Sequence, residues 1–357
     1  MSARGSRRVR ARAGAVVALL SLATASASGA ARTVIIDTDP GADDAIALAL
    51  ALNSPELEVR ALTVVAGNVP APQGLDNALR IASIEHRCDL PVAIGAQRPL
   101  TRTLTTAELF HGRNGLGDVE LPAPECVADR RWAPDLIVEL VHAAPHQITL
   151  VTLGPLTNIA LALSKDPSIA PLVKDVIMMG GAYASGNATP VSEFNVYVDP
   201  EAAKAVFEAG WPITMVGLDV GDQALLTRQH LAQLAQERGP AARLVAQVGA
   251  FLVQRSGNYG RPGASMYDPL AVAVAIDSSL VKTTPMRIDV ETAGTLTRGE
   301  TVASRTGTVS GHELRQFPEG ERYVATGARK VGFNASVATG VDAERFARLL
   351  LARVQGK

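Results

Sequence analysis

The chain has 357 residues and a 47% hydrophobic composition, enough to fill a sizeable core and to exclude disorder as its main state. Lys+Arg 34 against Asp+Glu 35 leaves a net charge of −1, and aromatics make up 4%, which excludes a dedicated nucleic-acid binder or base-stacking platform. Two cysteines, Cys88 and Cys126, make neither a disulfide framework nor a thiolate zinc site.

The first 30 residues contain five arginines and no acid, then the apolar run AGAVVALLSLATA, then SASGAA. This order is that of a secretory signal peptide (1–30), with cleavage expected after Ala27 or Ala30 and a periplasmic or secreted destination. Ser6-Arg7-Arg8 hints at twin-arginine export, although Arg10 stands where a hydrophobic residue is usual. A mis-called start, leaving a cytoplasmic protein, or an Arg-rich organelle presequence is the alternative. Without residues 1–30 the remainder carries 29 basic against 35 acidic side chains. Export would put Cys88 and Cys126 in an oxidising compartment, where they can pair if their geometry permits.

From Thr33 the pattern alternates. TVIID reads as a strand and AIALALALNS as a helix; LEVRALTVVAG is a strand, and QGLDNALRIASIEH an amphipathic helix with Leu75, Leu79, Ala82 and Ile84 on one face. VAIG, APDLIVELVHAA, QITLVTLG, PLTNIALALSK, KDVIMMGG, VDPEAAKAVFEAG and PITMVGLDV continue the alternation. Near-continuous apolar strands between helices predict an α/β fold: one large, open, mostly parallel, Rossmann-like sheet covered on both faces. In MRIDVETAGTLTRGETV the texture changes to hairpin strands, a small β excursion near the C-terminus, and VDAERFARLLLARV reads as a closing helix. Residues 31–357 are expected to be one domain. Ligands of such sheets bind outside the carboxyl ends of the strands, where DTDPGADD, AGN, GPLTN and GGAY fall.

VIIDTDPGADD places Asp37, Asp39, Asp43 and Asp44 within eight residues of a strand-to-helix turn. One or two of these can cap a helix, but four repel one another unless solvated or neutralised. A hard cation with oxygen ligands is the natural solution, and the strand context excludes an EF-hand.

On these residues the chain resembles the inosine-uridine-preferring nucleoside hydrolase family. Asp37, Asp39, Pro40, Gly41, Asp43 and Asp44 match its opening motif. The likeness continues through AGN at 66–68, HGRNGLG at 111–117, LGPLTNIALAL at 153–163 and MMGGAY at 178–183. It extends through GNATPVSEFNVYVDPEAA at 186–203, YDP at 267–269 and VETAGTLTRGETV at 290–302. The resemblance implies hydrolysis of the N-ribosidic bond with a bound calcium ion, in a homodimer or homotetramer serving nucleoside salvage. It implies that Asp39 is the metal-bound general base and that Asp44, Asp268 and the Leu153 carbonyl are the other protein ligands. Asp43 would accept from the 2′-hydroxyl, and Asp37 would support the metal site. Asn187, Glu193 and Asn195 repeat the spacing for grasping ribose, a polyol suited to donors and acceptors of this kind. Asn68 joins the polar ring beside the catalytic water or the metal, Met179 and Phe194 wall the sugar, and His111, in a glycine-rich segment read as a mobile lid, is either a surface side chain or a candidate contact for the leaving base.

The residue before the distal Asp is often His in relatives acting on inosine and uridine. Here it is Tyr267. With an ordinary pKa near 10 it is a weak acid, but it can stack on a base and donate a hydrogen bond. This leans the expectation towards purine nucleosides, with Tyr259 in RSGNYGRPG as a second base contact. Two rivals remain: a haloacid-dehalogenase-like phosphatase, from Asp-x-Asp at a strand end, and an exported nucleoside-binding protein without turnover.

Overall fold

The computed structural model describes residues 1–2, 30–306 and 308–356. Residues 3–29, which carry most of the expected signal peptide and the cleavage position after Ala27, lie outside the described residues. Ala31–Lys357 forms one compact unit.

Six short apolar runs form parallel strands: β1 (Arg32–Thr38), β2 (Leu57–Val64), β3 (Val92–Ile94), β4 (Thr149–Thr152), β5 (Asp175–Met179) and β6 (Ile213–Val216). β7 (Leu225–Thr227) and β8 (Gly263–Ser265) pair with each other. The C-terminal part adds β9 (Val281–Val290), β10 (Thr301–Ser304), β11 (Thr308–Phe317), β12 (Gly320–Lys330) and β13 (Ala335–Val341). The main sheet runs β10-β9-β13-β6-β5-β4-β1-β2-β3. β13 lies parallel to β6 and antiparallel to β9, which pairs antiparallel with β10. The expected excursion thus joins the sheet edge, while β11 and β12 form a separate hairpin that the periodicity did not predict.

Strand side chains alternate between two apolar layers. Val34 and Ile36 enter one layer and Ile35 the other; Ile177 and Met179 face one side, Val176 and Met178 the opposite. The first layer packs under helices Ala42–Leu52, Pro240–Asn258 and Tyr267–Ile276, the second under helices Ala133–Ala143, Thr157–Lys165 and Pro200–Glu208. Helix Ala42–Leu52 (ADDAIALALAL) is apolar around most of its circumference, and ten of its eleven residues are buried. Cys88 and Cys126 form a disulfide.

After β1 the chain winds outward through β2 and β3, then returns to place β4 on the other side of β1. The strand order therefore reverses between β1 and β4. Crevices at such switch points, outside the carboxyl ends, are where α/β sheets bind ligands.

Candidate active site

The end of β1 brings the acidic motif to this crevice. Asp37 is still within the strand, between Thr63 of β2 and Thr152 of β4. Its Oδ1 accepts from Thr63 Oγ1 at 2.5 Å and Asn158 Nδ2 at 2.7 Å. Burial nevertheless pushes its pKa up to about 7. These bonds tie three elements together beneath the crevice, a supporting position.

Asp39 is fully buried one turn further on. Its Oδ2 accepts the backbone N–H of Asn68 at 2.7 Å, while Oδ1 is buried without a hydrogen-bond partner. Strand ends crowd against it because two neighbours are glycines. A Cβ at Gly67 would sit 2.0 Å from Asp39 Oδ2, and one at Gly154 would sit 2.7 Å from Oδ1. Burial first, and the charges of Asp44 and Asp43 after it, hold the Asp39 carboxyl well above the ordinary range.

Asp43 and Asp44 lie in the first turn of helix Ala42–Leu52, where the helix dipole favours negative charge. Asp44 Oδ1 accepts from Thr38 Oγ1 at 2.5 Å, and Oδ2 accepts from the Gly41 N–H at 2.9 Å and Asn68 Nδ2 at 3.0 Å. Asp43 Oδ1 is buried with no hydrogen bond, and its pKa is pushed up to about 7 by burial and by Asp44. Asp268, distant in sequence, arrives from the first turn of helix Tyr267–Ile276. Burial, then the charges of Asp43, Asp44 and Asp39, raise its pKa strongly.

Among the described residues, Asp43, Asp44 and Asp268 each offer an oxygen within 4.8 Å of the others. Three buried carboxylates at this separation, with orphan oxygens on Asp43 and the adjacent Asp39, are the donor set of a hard cation. The cluster thus contains Asp43, expected as a ribose contact, and omits Asp39, expected as a ligand. The Leu153 carbonyl at the end of β4, another expected ligand, accepts Asn195 Nδ2 at 2.7 Å.

Above the carboxylates opens a cavity of about 680 Å³, large enough for a nucleoside. Asp43, Asn68, Leu153, Met179, Asn195 and Asp268 line its floor. Asn195 Nδ2 also approaches Met179 Sδ at 3.2 Å. Asn187, Glu193 and Phe194 reach the cavity from the loop that follows β5, and Asn187 Oδ1 accepts the Phe194 N–H at 2.9 Å. Glu193 is the N-cap of the short helix Phe194–Val198. Its oxygens accept the N–H groups of Asn195, Gly181 and Val196 at 2.9, 3.0 and 3.2 Å, and burial pushes its pKa up to about 7. In this arrangement Glu193 holds the shape of the loop.

The rim differs from the glycine-rich lid read in the sequence. His111 ends the short helix Glu108–His111, and its Nδ1 accepts the Ala42 N–H at 3.1 Å. Burial, helped by Arg255, pushes its pKa down to about 4, so the ring is neutral near pH 7 with its proton on Nε2. A Cβ at Gly41 would come within 2.7 Å of both His111 Nδ1 and Asn68 Nδ2, so this approach needs the glycine. Asn77 Nδ2 further ties the segment down by donating to the carbonyls of Pro40 and Asn114.

Tyr267 lines the cavity, but its hydroxyl donates to Asp222 Oδ1 at 2.8 Å, and burial pushes its pKa up to about 12. The proton is directed at Asp222, and the ring is what the cavity wall receives. Tyr259 also reaches the cavity, 69% exposed. Sequence reasoning missed Arg255 and Phe110, both at the rim. The available signal was Arg255 one helical turn before Tyr259, the spacing that stacks side chains.

Comparison with known proteins matches this architecture. The sequence pattern of the family described as "Inosine-uridine preferring nucleoside hydrolase" covers residues 34–348. The chain is 39% identical over 322 residues to the pyrimidine-specific ribonucleoside hydrolase RihA of Shewanella sp. (strain ANA-3), spanning 90% of this chain and 95% of that protein. It is 38% identical over 324 residues to RihA of Salmonella typhimurium, with 90% and 98% covered. Among solved structures, a plant nucleoside hydrolase superposes with a TM-score of 0.81 at 33% identity, covering 91% of this chain and 99% of that one. The purine-preferring ribonucleoside hydrolase from Gardnerella vaginalis gives 0.80 at 34%, with 91% and 98% covered. The phosphatase reading ends with these matches. With its buried carboxylate cluster at the sheet's switch point, the chain belongs to the inosine-uridine-preferring nucleoside hydrolase family, a family of metal-dependent N-glycosyl hydrolases.

Proposed function

We propose that this protein hydrolyses the N-ribosidic bond of ribonucleosides with calcium in the carboxylate cluster, Asp39 acting as general base. The observation that carries the reading is the buried cluster of Asp43, Asp44 and Asp268, with the partnerless Oδ1 of Asp39 close by, beneath a nucleoside-sized cavity. Asp39, Asp44, Asp268 and the second lone pair of the Leu153 carbonyl would hold the ion, which when bound would supply positive charge that orients hydroxyls and makes water more acidic. The partnerless Oδ1 of Asp39 accepts a proton from the attacking water. The water oxygen bonds to C1′, and the electron pair of the C1′–N bond leaves with the base. Asp43 accepts from a ribose hydroxyl, and Asn187 and Asn195 complete the sugar contacts, with Met179 and Phe194 as walls.

Similarity to the pyrimidine-specific RihA proteins supports a pyrimidine nucleoside as the preferred substrate. A purine preference is the second reading, favoured by the wide aromatic rim of Phe110, Tyr259 and Tyr267. The Cys88–Cys126 disulfide supports export to an oxidising compartment. A panel of uridine, cytidine, inosine, adenosine and their 2′-deoxy forms tests the function, with release of free base as the readout. Ribonucleosides should yield base, and deoxyribonucleosides should be turned over at least ~100-fold more slowly because buried polar groups lose their partners. Binding without base release would establish the non-hydrolytic reading.

A further inference from the structure

Arg255 is a cation in an unusual setting. It lines the cavity from helix Pro240–Asn258, its Nε is buried without a hydrogen-bond partner, and no carboxylate among the described residues pairs with it. The guanidinium is held instead by ring faces. Its Cζ lies 4.6 Å from the Phe110 centroid and 6.0 Å from that of Tyr259. The nearby Arg261 is different: it is bound to Asp222 at 2.6 Å. Stacking fixes the plane of a guanidinium while leaving its N–H groups free, and a buried orphan donor is unfavourable until an acceptor arrives.

We infer that Arg255 is a leaving-group residue: its guanidinium donates to the carbonyl oxygen of the nucleobase and stabilises the negative charge that the base gains as it departs. The inference rests on the ribonucleoside hydrolase reading. When the C1′–N bond breaks, its electron pair passes into the base and spreads onto the ring carbonyls, while the water oxygen bonds to C1′. The departed base then takes a proton from solvent. No other group at the rim is as well suited. The Tyr267 proton is committed to Asp222, and His111 Nδ1 is committed to the N–H of Ala42 at the helix N-terminus. A preorganised cation acting on charge that develops in the transition state increases kcat more than it tightens substrate binding.

The test compares Arg255→Ala and Arg255→Lys with the native enzyme, with calcium, on uridine, inosine and 4-nitrophenyl β-D-ribofuranoside. Nitrophenolate is already a good leaving group and requires no stabilisation of this kind. For Arg255→Ala, kcat should fall by at least ~30-fold on both nucleosides and by less than ~3-fold on the nitrophenyl riboside. Arg255→Lys should fall between the two, keeping the charge but not the planar fork. Equal losses on all three substrates would mark a structural residue and overturn the inference, as would no loss on the nucleosides. A native enzyme that cleaves neither nucleosides nor the riboside overturns the hydrolase reading and this inference with it.

Discussion

The floor and the rim of the cavity are built on opposite plans. The floor consists of strand ends and helix first turns, and its carboxylates are buried and bonded to backbone N–H groups and to Thr38, Thr63 and Asn158. The rim is made of side chains stacked across separate segments, with Phe110 58% and Tyr259 69% exposed. On the proposed function, a floor of this kind treats all ribosides alike and governs whether the bond breaks. On the same reading the rim meets the base and governs which ribosides are accepted and how readily the base leaves.

Substitutions should separate these two jobs. The largest effect is expected at the floor. Asp39→Ala should lower kcat by ~10³-fold or more on every riboside, including the nitrophenyl compound, even at calcium concentrations that saturate the variant's weakened site by isothermal titration. A base-selective loss would break the division between floor and rim. Smaller changes belong at the rim. Tyr267→Phe should alter kcat by less than ~3-fold, because the lost hydroxyl faces Asp222. Tyr267→Ala, which removes the wall, should raise KM by ~10-fold with the same kcat.

The smallest effect is one of stability. The carboxyls of Asp43 and Glu193 have pKa values raised to about 7 in the folded protein, against ordinary values near 4 when unfolded. A raised folded pKa means the folded state binds protons more tightly, so this contribution is present at low pH and lost as pH rises through 7. Chelated protein should therefore melt a few degrees lower at pH 8 than at pH 5.5 in differential scanning calorimetry, and added calcium should reverse that order.

The same contrast explains what was legible in the sequence. Asp37, Asp39, Asp43 and Asp44 are contiguous, and their density at a strand end was itself the signal. The parallel sheet was equally plain, because buried strands such as IIDT and IMM read as unbroken apolar runs between helices. Phe110 and Asp222 were silent, and Arg255 was signalled only by its spacing from Tyr259, since only tertiary packing brings helix Pro240–Asn258 against the segment that ends at His111. His111 and Tyr267 were visible as candidates, but their hydrogen-bond partners, Ala42 and Asp222, were not. The hairpin β11–β12 was also missed: it pairs only with itself, outside the alternation that reveals the main sheet.

The most direct test of the account is base release from uridine by chelated protein as calcium is added back, followed by chromatography of uracil. The account predicts no turnover after chelation, restoration by calcium to the native rate, and no restoration in Asp39→Ala. Undiminished uracil release after complete removal of the metal, or full activity of Asp39→Ala, would contradict it.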